Sequence, residues 1–314
     1  MTRVFSSLRT TAGRFAVNFA LLALLALVML VSMRFGSLKL TFAEIVGTLW
    51  NRPDGINGQI IFNIRLPRIL LGALVGGSLA AAGTILQGVM RNPLASPGII
   101  GVSAGGGLGG ILVMLVLPQF GYLLVPAAFG GALVTAVLVY LLAWKRGVNP
   151  VRLILAGVAV SAMLGAFSST ILILNAEQVA PYMAAGFAVA LMLGQKLNIL
   201  TLGDEVATGL GMRVERTRFL LLAVAALLAA SAVSVAGLLG FVGLIAPHIV
   251  RIVIGSDNRF LIPASALFGG IMVVGCDTVG RMAMDPSELP VGVIMSLLGP
   301  PFFLWLLRRH SYEA

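Results

Sequence analysis

Apolar residues in this chain come in long blocks rather than in stripes. Blocks of membrane length lie at 17–35, 69–90, 98–117, 122–143, 152–174, 218–236, 238–254, 261–280 and 289–307. A run of about 20 apolar residues is what a helix needs to cross a ~30 Å hydrocarbon core. A weaker run at 182–194 is too short to span comfortably and could equally lie at the interface. The pattern predicts an all-α, polytopic membrane protein of nine or ten transmembrane helices, with residues 1–314 forming one membrane domain. Two polar stretches interrupt the blocks. Residues 36–64 place Leu, Phe, Ile and Trp at helical intervals around a Pro53-Asp54-Gly55 turn, which predicts a short external helix. Residues 195–217 form the longest loop on the other side. Within it, Asp204 and Glu205 suit the first turn of a helix, where the backbone dipole favours negative charge, and Gly209 and Gly211 suit its end.

Composition narrows the class. Hydrophobic residues make up 59% and charged residues 10%, with a mean hydropathy of +1.05. Soluble domains carry about 25% charged residues, so a soluble enzyme, a secreted domain and a nucleic-acid-binding module are excluded as the main reading. The net charge of +10 is scattered in small groups between apolar runs, as in membrane loops. Counting the 182–194 run as a crossing puts fifteen of the 21 Lys and Arg residues on the cytoplasmic side. Nine crossings would put the basic 196–218 segment outside, or else flip the second half. The positive-inside bias therefore favours ten spans. Arg3, Arg9 and Arg14 precede a run that is long for a signal-peptide core, with no clear cleavage site after it, so it reads as a first span. Both termini are then expected in the cytoplasm.

Candidate chemistry is sparse. One cysteine, Cys276, and two distant histidines, His248 and His310, give neither a disulfide framework nor a metal site. There is no phosphate-binding Gly-x-x-x-x-Gly-Lys-Ser/Thr, no His-Glu-x-x-His and no pair of intramembrane aspartates, so no catalytic residues are assigned. If the chain moves a solute uphill by ATP hydrolysis, another chain must supply the ATPase. Asp277 is an acid at membrane depth, but Arg281 lies one turn away and predicts an ion pair. Arg65, Arg68 and Arg281 fall at outer span ends, against the positive-inside bias. Either an acidic partner outside or snorkelling to lipid phosphate would explain them. Asn92-Pro93 and Pro97-Gly98 break a helix before a glycine-rich span, which reads as a packing hinge. Setting Ala82-Gly83 against Ala236-Gly237 hints at two related halves.

These pieces together carry a resemblance. Arg65-Leu66-Pro67-Arg68, Gln87, Asn92-Pro93-Leu94-Ala95 and Leu155-Ala156-Gly157-Val158-Ala159 come first. Then follow Leu202-Gly203-Asp204-Glu205-x-Ala207-x-x-Leu210-Gly211 and Gly240-Phe241-Val242-Gly243-Leu244-x-x-Pro247-His248-x-x-Arg251. Glu288-Leu289-Pro290 and Gly299-x-Pro301-Phe302-Phe303 close the set. In this order the chain resembles the permease subunits of type II ABC importers, the FecCD-like family that takes up iron-siderophores, haem and cobalamin. The resemblance implies ten transmembrane helices in a bacterial inner membrane. It also implies a second permease copy or paralogue, an ATP-binding cassette ATPase dimer on the cytoplasmic side and an extracytoplasmic substrate-binding protein. ATP and Mg are then used by the partner ATPase, and this chain binds no cofactor. By the same resemblance Leu202, Gly203, Asp204, Glu205, Ala207, Leu210 and Gly211 form the ATPase-coupling helix. Arg65, Arg68 and Arg281 become docking arginines, and the fifth and tenth spans line the pathway.

One region departs from the family. Between Glu177 and Lys196 family members usually carry roughly twenty more residues, and the 14 of Pro181–Gly194 would reach only about 21 Å as a helix. A shortened sixth span is therefore expected. The rival function is an ion-gradient-driven secondary transporter, which would need several interior acids where only Asp277 qualifies.

Overall fold

Glycine decides where these helices meet. In the computed structural model, which describes residues 7–36, 38–51, 55–93, 95, 101–143, 150–173, 179–236, 239–283 and 288–310, the helices cross at paired small residues. The long elements are α1 (Thr11–Arg34), α3 (Leu66–Val89), α4 (Gly101–Ile111, continued by a π-helical turn Leu112–Val116), α5 (Leu124–Ala143), α6 (Pro150–Ile173), α7 (Val179–Thr201), α9 (Val214–Ala236), α10 (Val242–Ile254), α11 (Asn258–Ala283) and α12 (Val291–His310). Two short helices, α2 (Phe42–Asn51) and α8 (Asp204–Gly209), lie between them. Among the described residues, five helices are long and apolar enough to cross a membrane, and five more are shorter apolar helices. Together they fall on the ten expected spans.

α3 is the axis of the bundle. Its residues Val75 to Val89 are all buried, packed by α11, α9, α10 and α7. A Cβ on Gly76 would stand 2.2 Å from the Gly269 carbonyl oxygen of α11, and one on Gly83 only 1.8 Å from the Gly243 oxygen of α10. In lipid, where tails are as apolar as leucine, such backbone approach supplies the packing that holds helices together. α4, α5 and α6 form a second group, with a Cβ on Gly131 meeting the Gly105 oxygen at 2.2 Å, and α9 joins the two groups. α3 also starts earlier than the apolar run suggests. A π-helical stretch Ile60–Arg65 and a turn Ile56–Gln59 extend it outward, and Pro67 is tolerated because it sits in the first turn of Leu66–Val89.

The sixth span needs correcting. α7 is 23 residues long, about 34 Å at 1.5 Å per residue, not the 14-residue stub expected from Pro181–Gly194. The helix runs on through Gln195, Lys196 and Asn198 because their polar groups need not leave water or find no partner. Asn198 donates to Asp257 at 2.7 Å and accepts from the backbone and side-chain nitrogens of Asn258 at 2.7 and 2.9 Å.

Asp257, in the loop between α10 and α11, ties four helix ends together. It accepts from Arg14 of α1 at 2.8 Å, from Arg259 of α11 at 2.8 Å and from Asn198 of α7, while Arg14 also reaches the Ile254 carbonyl of α10 at 3.1 Å. Bonds from Arg259 above all, with Asn198, hold its carboxyl at about 2, well below the ordinary aspartate value. A depressed folded value means stability that is present above pH 4 and lost as pH falls through about 2. Solvent screening near the surface leaves this worth less than about 2 kcal/mol at neutral pH. Asp257→Asn is therefore expected to lower the melting temperature in detergent at pH 7 and to flatten the acid limb between pH 4 and 2. A wild-type-like acid limb in the variant would show that the loop is held by other contacts.

Candidate functional site

The two ends of the bundle carry different chemistry. At the end holding the start of α1, the loop between α7 and α9 folds as α8, six residues from Asp204 to Gly209. Glycine makes both its entry and its exit. Gly203 precedes it at φ +121 and Gly211 follows at φ +80, conformations that side chains rarely adopt. Gly211 donates to the Thr208 carbonyl at 2.9 Å and Met212 to that of Ala207 at 3.0 Å, which closes the helix. The left-handed positions are thus Gly203 and Gly211, whereas the sequence pointed to Gly209 and Gly211.

Asp204 fastens α8 to the bundle. Its two carboxylate oxygens accept from the Arg218 Nη2 at 2.8 and 2.9 Å, and one of them also accepts from Arg91 at 2.5 Å. Arg91 follows α3 in a left-handed conformation at φ +48 and also reaches the Leu200 carbonyl of α7 at 3.1 Å. Hydrogen bonding from Arg218, then the nearby charges of Arg218 and Arg91, hold the Asp204 carboxyl below its ordinary value. Ala207 seats the helix, fully buried. Val206 within the helix and Leu202 and Leu210 flanking it are 49%, 63% and 64% exposed, with Glu205 exposed beside them. So the expected coupling residues split into three sets. Asp204 and Ala207 hold the helix, Gly203 and Gly211 shape it, and Leu202, Glu205 and Leu210 face outward together with Val206.

The sequence had given Arg91 and Arg218 no role beyond their charge. The available signal was a basic residue at the end of each flanking span, close to an acid at a helix start.

At the other end the arginines sort themselves differently from expectation. Arg65 and Arg281 are each only 6% exposed. Arg65 donates to the Met33 carbonyl at 2.6 Å and to that of Leu38. Arg281 donates to the Phe35 carbonyl at 2.7 Å and the Ser32 hydroxyl at 2.6 Å. Both are used up capping the C-terminal carbonyls of α1, where cations complement the helix dipole. Of the three arginines expected to meet a partner, Arg65 and Arg281 are therefore buried in the bundle and Arg68 is exposed. Arg68 keeps 40% of its side chain in solvent, held by Asp277 at 2.8 Å and Glu288 at 2.6 Å. Asp277 also pairs with Arg281 at 3.0 Å, so this acid lies between two guanidinium groups. The short external helix is α2, opened by a capping box. Thr41 donates its backbone N–H and hydroxyl to Glu44 at 2.7 and 2.8 Å, which holds the Glu44 carboxyl below its ordinary value. Pro53 and Asp54 of the expected turn, and Leu94, Pro97 and Gly98 of the expected hinge, lie outside the described residues.

Among the described residues no group of three His, Cys, Asp or Glu side chains could hold a metal ion.

Known proteins give this arrangement its context. The sequence profile of the FecCD transport family matches residues 24–184 and 178–309. The chain is 45% identical to the cobalamin import system permease protein BtuC of Halobacterium salinarum, over 81% of this chain and 75% of that protein. It is 37% identical to the iron(3+)-hydroxamate import system permease protein FhuG of Bacillus subtilis, over 94% of this chain and 96% of that one. Among solved structures it is similar to a chain of an ABC transporter assigned to the metal-chelate type, in an inward-facing conformation. The TM-score is 0.69 at 29% identity, covering 94% of this chain and 99% of the other. The alignment to FhuG runs over 330 positions, more than the 314 residues here, so that relative carries residues this chain lacks. The two profile matches meet at 178–184, where α7 begins and where the sequence departs from the family.

Proposed function

The chain belongs to the FecCD transport family, and from that premise we propose that it is the membrane permease subunit of a binding-protein-dependent ABC importer for an iron chelate, an iron-siderophore complex first of all. The observation that carries this reading is α8: a short helix fastened through Asp204 to Arg91 after α3 and to Arg218 of α9, with Leu202, Val206 and Leu210 exposed on and beside it. Exposed apolar residues grouped beside a polar helix fit a surface that a second protein covers. The partner in this reading is an ATP-binding cassette dimer, which uses ATP and Mg, while this chain catalyses nothing. The end with α8 then faces the cytoplasm together with both termini, in the inner membrane. An extracytoplasmic binding protein docks at the other end, where Arg34 and Arg68 are exposed among the described residues. A second permease copy or paralogue completes the pathway, which α6 and α12 line in this reading.

Uptake measurements test the reading. Deleting the chain from its host should abolish most uptake of radiolabelled ferric hydroxamate, and restoring it should return that uptake. Uptake should stop on ATP depletion and persist with a protonophore. The reverse sensitivity would favour the ion-gradient reading and sink this one. Competition by unlabelled haem or cobalamin separates the cargo classes within the family.

A further inference from the structure

A groove of about 500 Å³ lies beside α8, between the C-terminal turns of α7 and the start of α9. Three cations line it: Lys196 from α7, Arg213 from the loop and Arg216 from α9. All three are exposed. None of the three forms a salt bridge among the described residues, and the acids nearby are occupied. Asp204 holds Arg91 and Arg218, and Glu215 holds Arg218. No carboxylate lines this groove, although Asp204 and Glu215 line an adjoining one with Arg213 and Arg216, and apart from Thr217 its remaining wall is apolar, with Ile199, Met212 and Leu220 among the lining side chains.

Three unneutralised cations within one groove repel each other, an arrangement that favours an anion between them. The apolar wall draws on the last turns of α7, the loop residue Met212 and the first turns of α9, and both helices are long and apolar enough to cross a membrane, so these ends fall near its surface. A free phosphate would satisfy the cations and leave that wall wet. A molecule carrying phosphate and hydrocarbon together fits both halves.

We propose that this groove binds the headgroup and upper acyl segment of an anionic phospholipid, held by Lys196, Arg213 and Arg216. The inference needs only that α7 and α9 cross a membrane and does not depend on α8 coupling to an ATPase. Because Leu210, Gly211 and Met212 also line the groove, an occupying lipid would brace the turn that ends α8.

The test uses the full chain in nanodiscs of phosphatidylcholine with a minority of phosphatidylglycerol, followed by mass spectrometry of lipids retained on mild detergent extraction. The wild type should retain phosphatidylglycerol in preference to phosphatidylcholine. Each of K196Q, R213Q and R216Q should weaken that preference by up to about fivefold, and the triple change should erase it. The single variants keep the test valid should the triple fold poorly. An unchanged preference in all variants would overturn the proposal. So would full displacement of the retained lipid by inorganic phosphate, which would make the groove a free-anion site. Variants that lose affinity for the ATPase while retaining phosphatidylglycerol normally would make it a protein contact instead and overturn the lipid assignment.

Discussion

Gly83→Val should remove the permease from the membrane almost completely. The first added atom would lie 1.8 Å from the Gly243 carbonyl oxygen and 2.5 Å from its carbon, where heavy atoms need well over 3 Å. Neither side can yield by rotating a side chain, because both surfaces are backbone. α3 and α10 would have to separate, and α3 is buried from Val75 to Val89 against four other helices, so the separation spreads. Overpacking in an adaptable core costs about 1–3 kcal/mol. Two rigid backbones in contact leave no such adaptation, and a cost above about 4 kcal/mol would exhaust much of the stability of a typical domain. Membrane-fraction immunoblots should show a large fall in inserted protein, with uptake falling in step. Gly157→Ala in α6, where no atom stands within 4 Å of the new Cβ, should leave the level unchanged. Normal levels of the Gly83→Val protein would mean that the α3–α10 crossing is not the closest contact in the membrane.

The same pair shows what the sequence can and cannot reveal. Blocks of apolar residues report which segments leave water, so all ten membrane helices were legible, as was the short helix opened by Asp204 and Glu205. Which glycine faces which backbone is a fact about pairs of residues 160 positions apart, Gly83 and Gly243, and no local pattern carries it. The extent of α7 was illegible for a related reason. Hydropathy ends the span at Gly194, while the helix continues because Asn198 finds its partners near residue 257, in a different part of the chain. The burial of Arg65 and Arg281 was hidden by the same blindness. An arginine at a span end looks exposed until the C-terminal carbonyls of α1 are brought against it. Arg68 and Arg65 share one motif, and only burial separates the structural residue from the one left facing solvent.

Placing aspartates at Leu202 and Val206 together should stop transport while leaving the permease in the membrane at its normal level. Both side chains are exposed, so the fold loses little by their exchange. If an ATPase groove covers them, each is an apolar anchor at the centre of a small contact, where truncation of one such residue costs about 2 kcal/mol or more. Two together, with desolvation of the new carboxylates added, imply a fall of about a hundredfold or more in affinity. Uptake should drop to background, and the partner ATPase should no longer co-purify or respond to substrate-loaded binding protein. Asp204→Asn should act differently. It removes the charge that Arg91 and Arg218 share, so α8 is expected to loosen from the bundle while its outward face stays intact. The ATPase would then still bind, but its closure would move α8 alone and not the spans behind it. Such a variant should hydrolyse ATP without importing substrate. The two outcomes separate contact from transmission: loss of co-purification marks the surface that the ATPase touches, and retained binding without uptake marks the clamp that passes the motion on. Full uptake in the Leu202, Val206 double variant would mean that α8 is not where the ATPase engages.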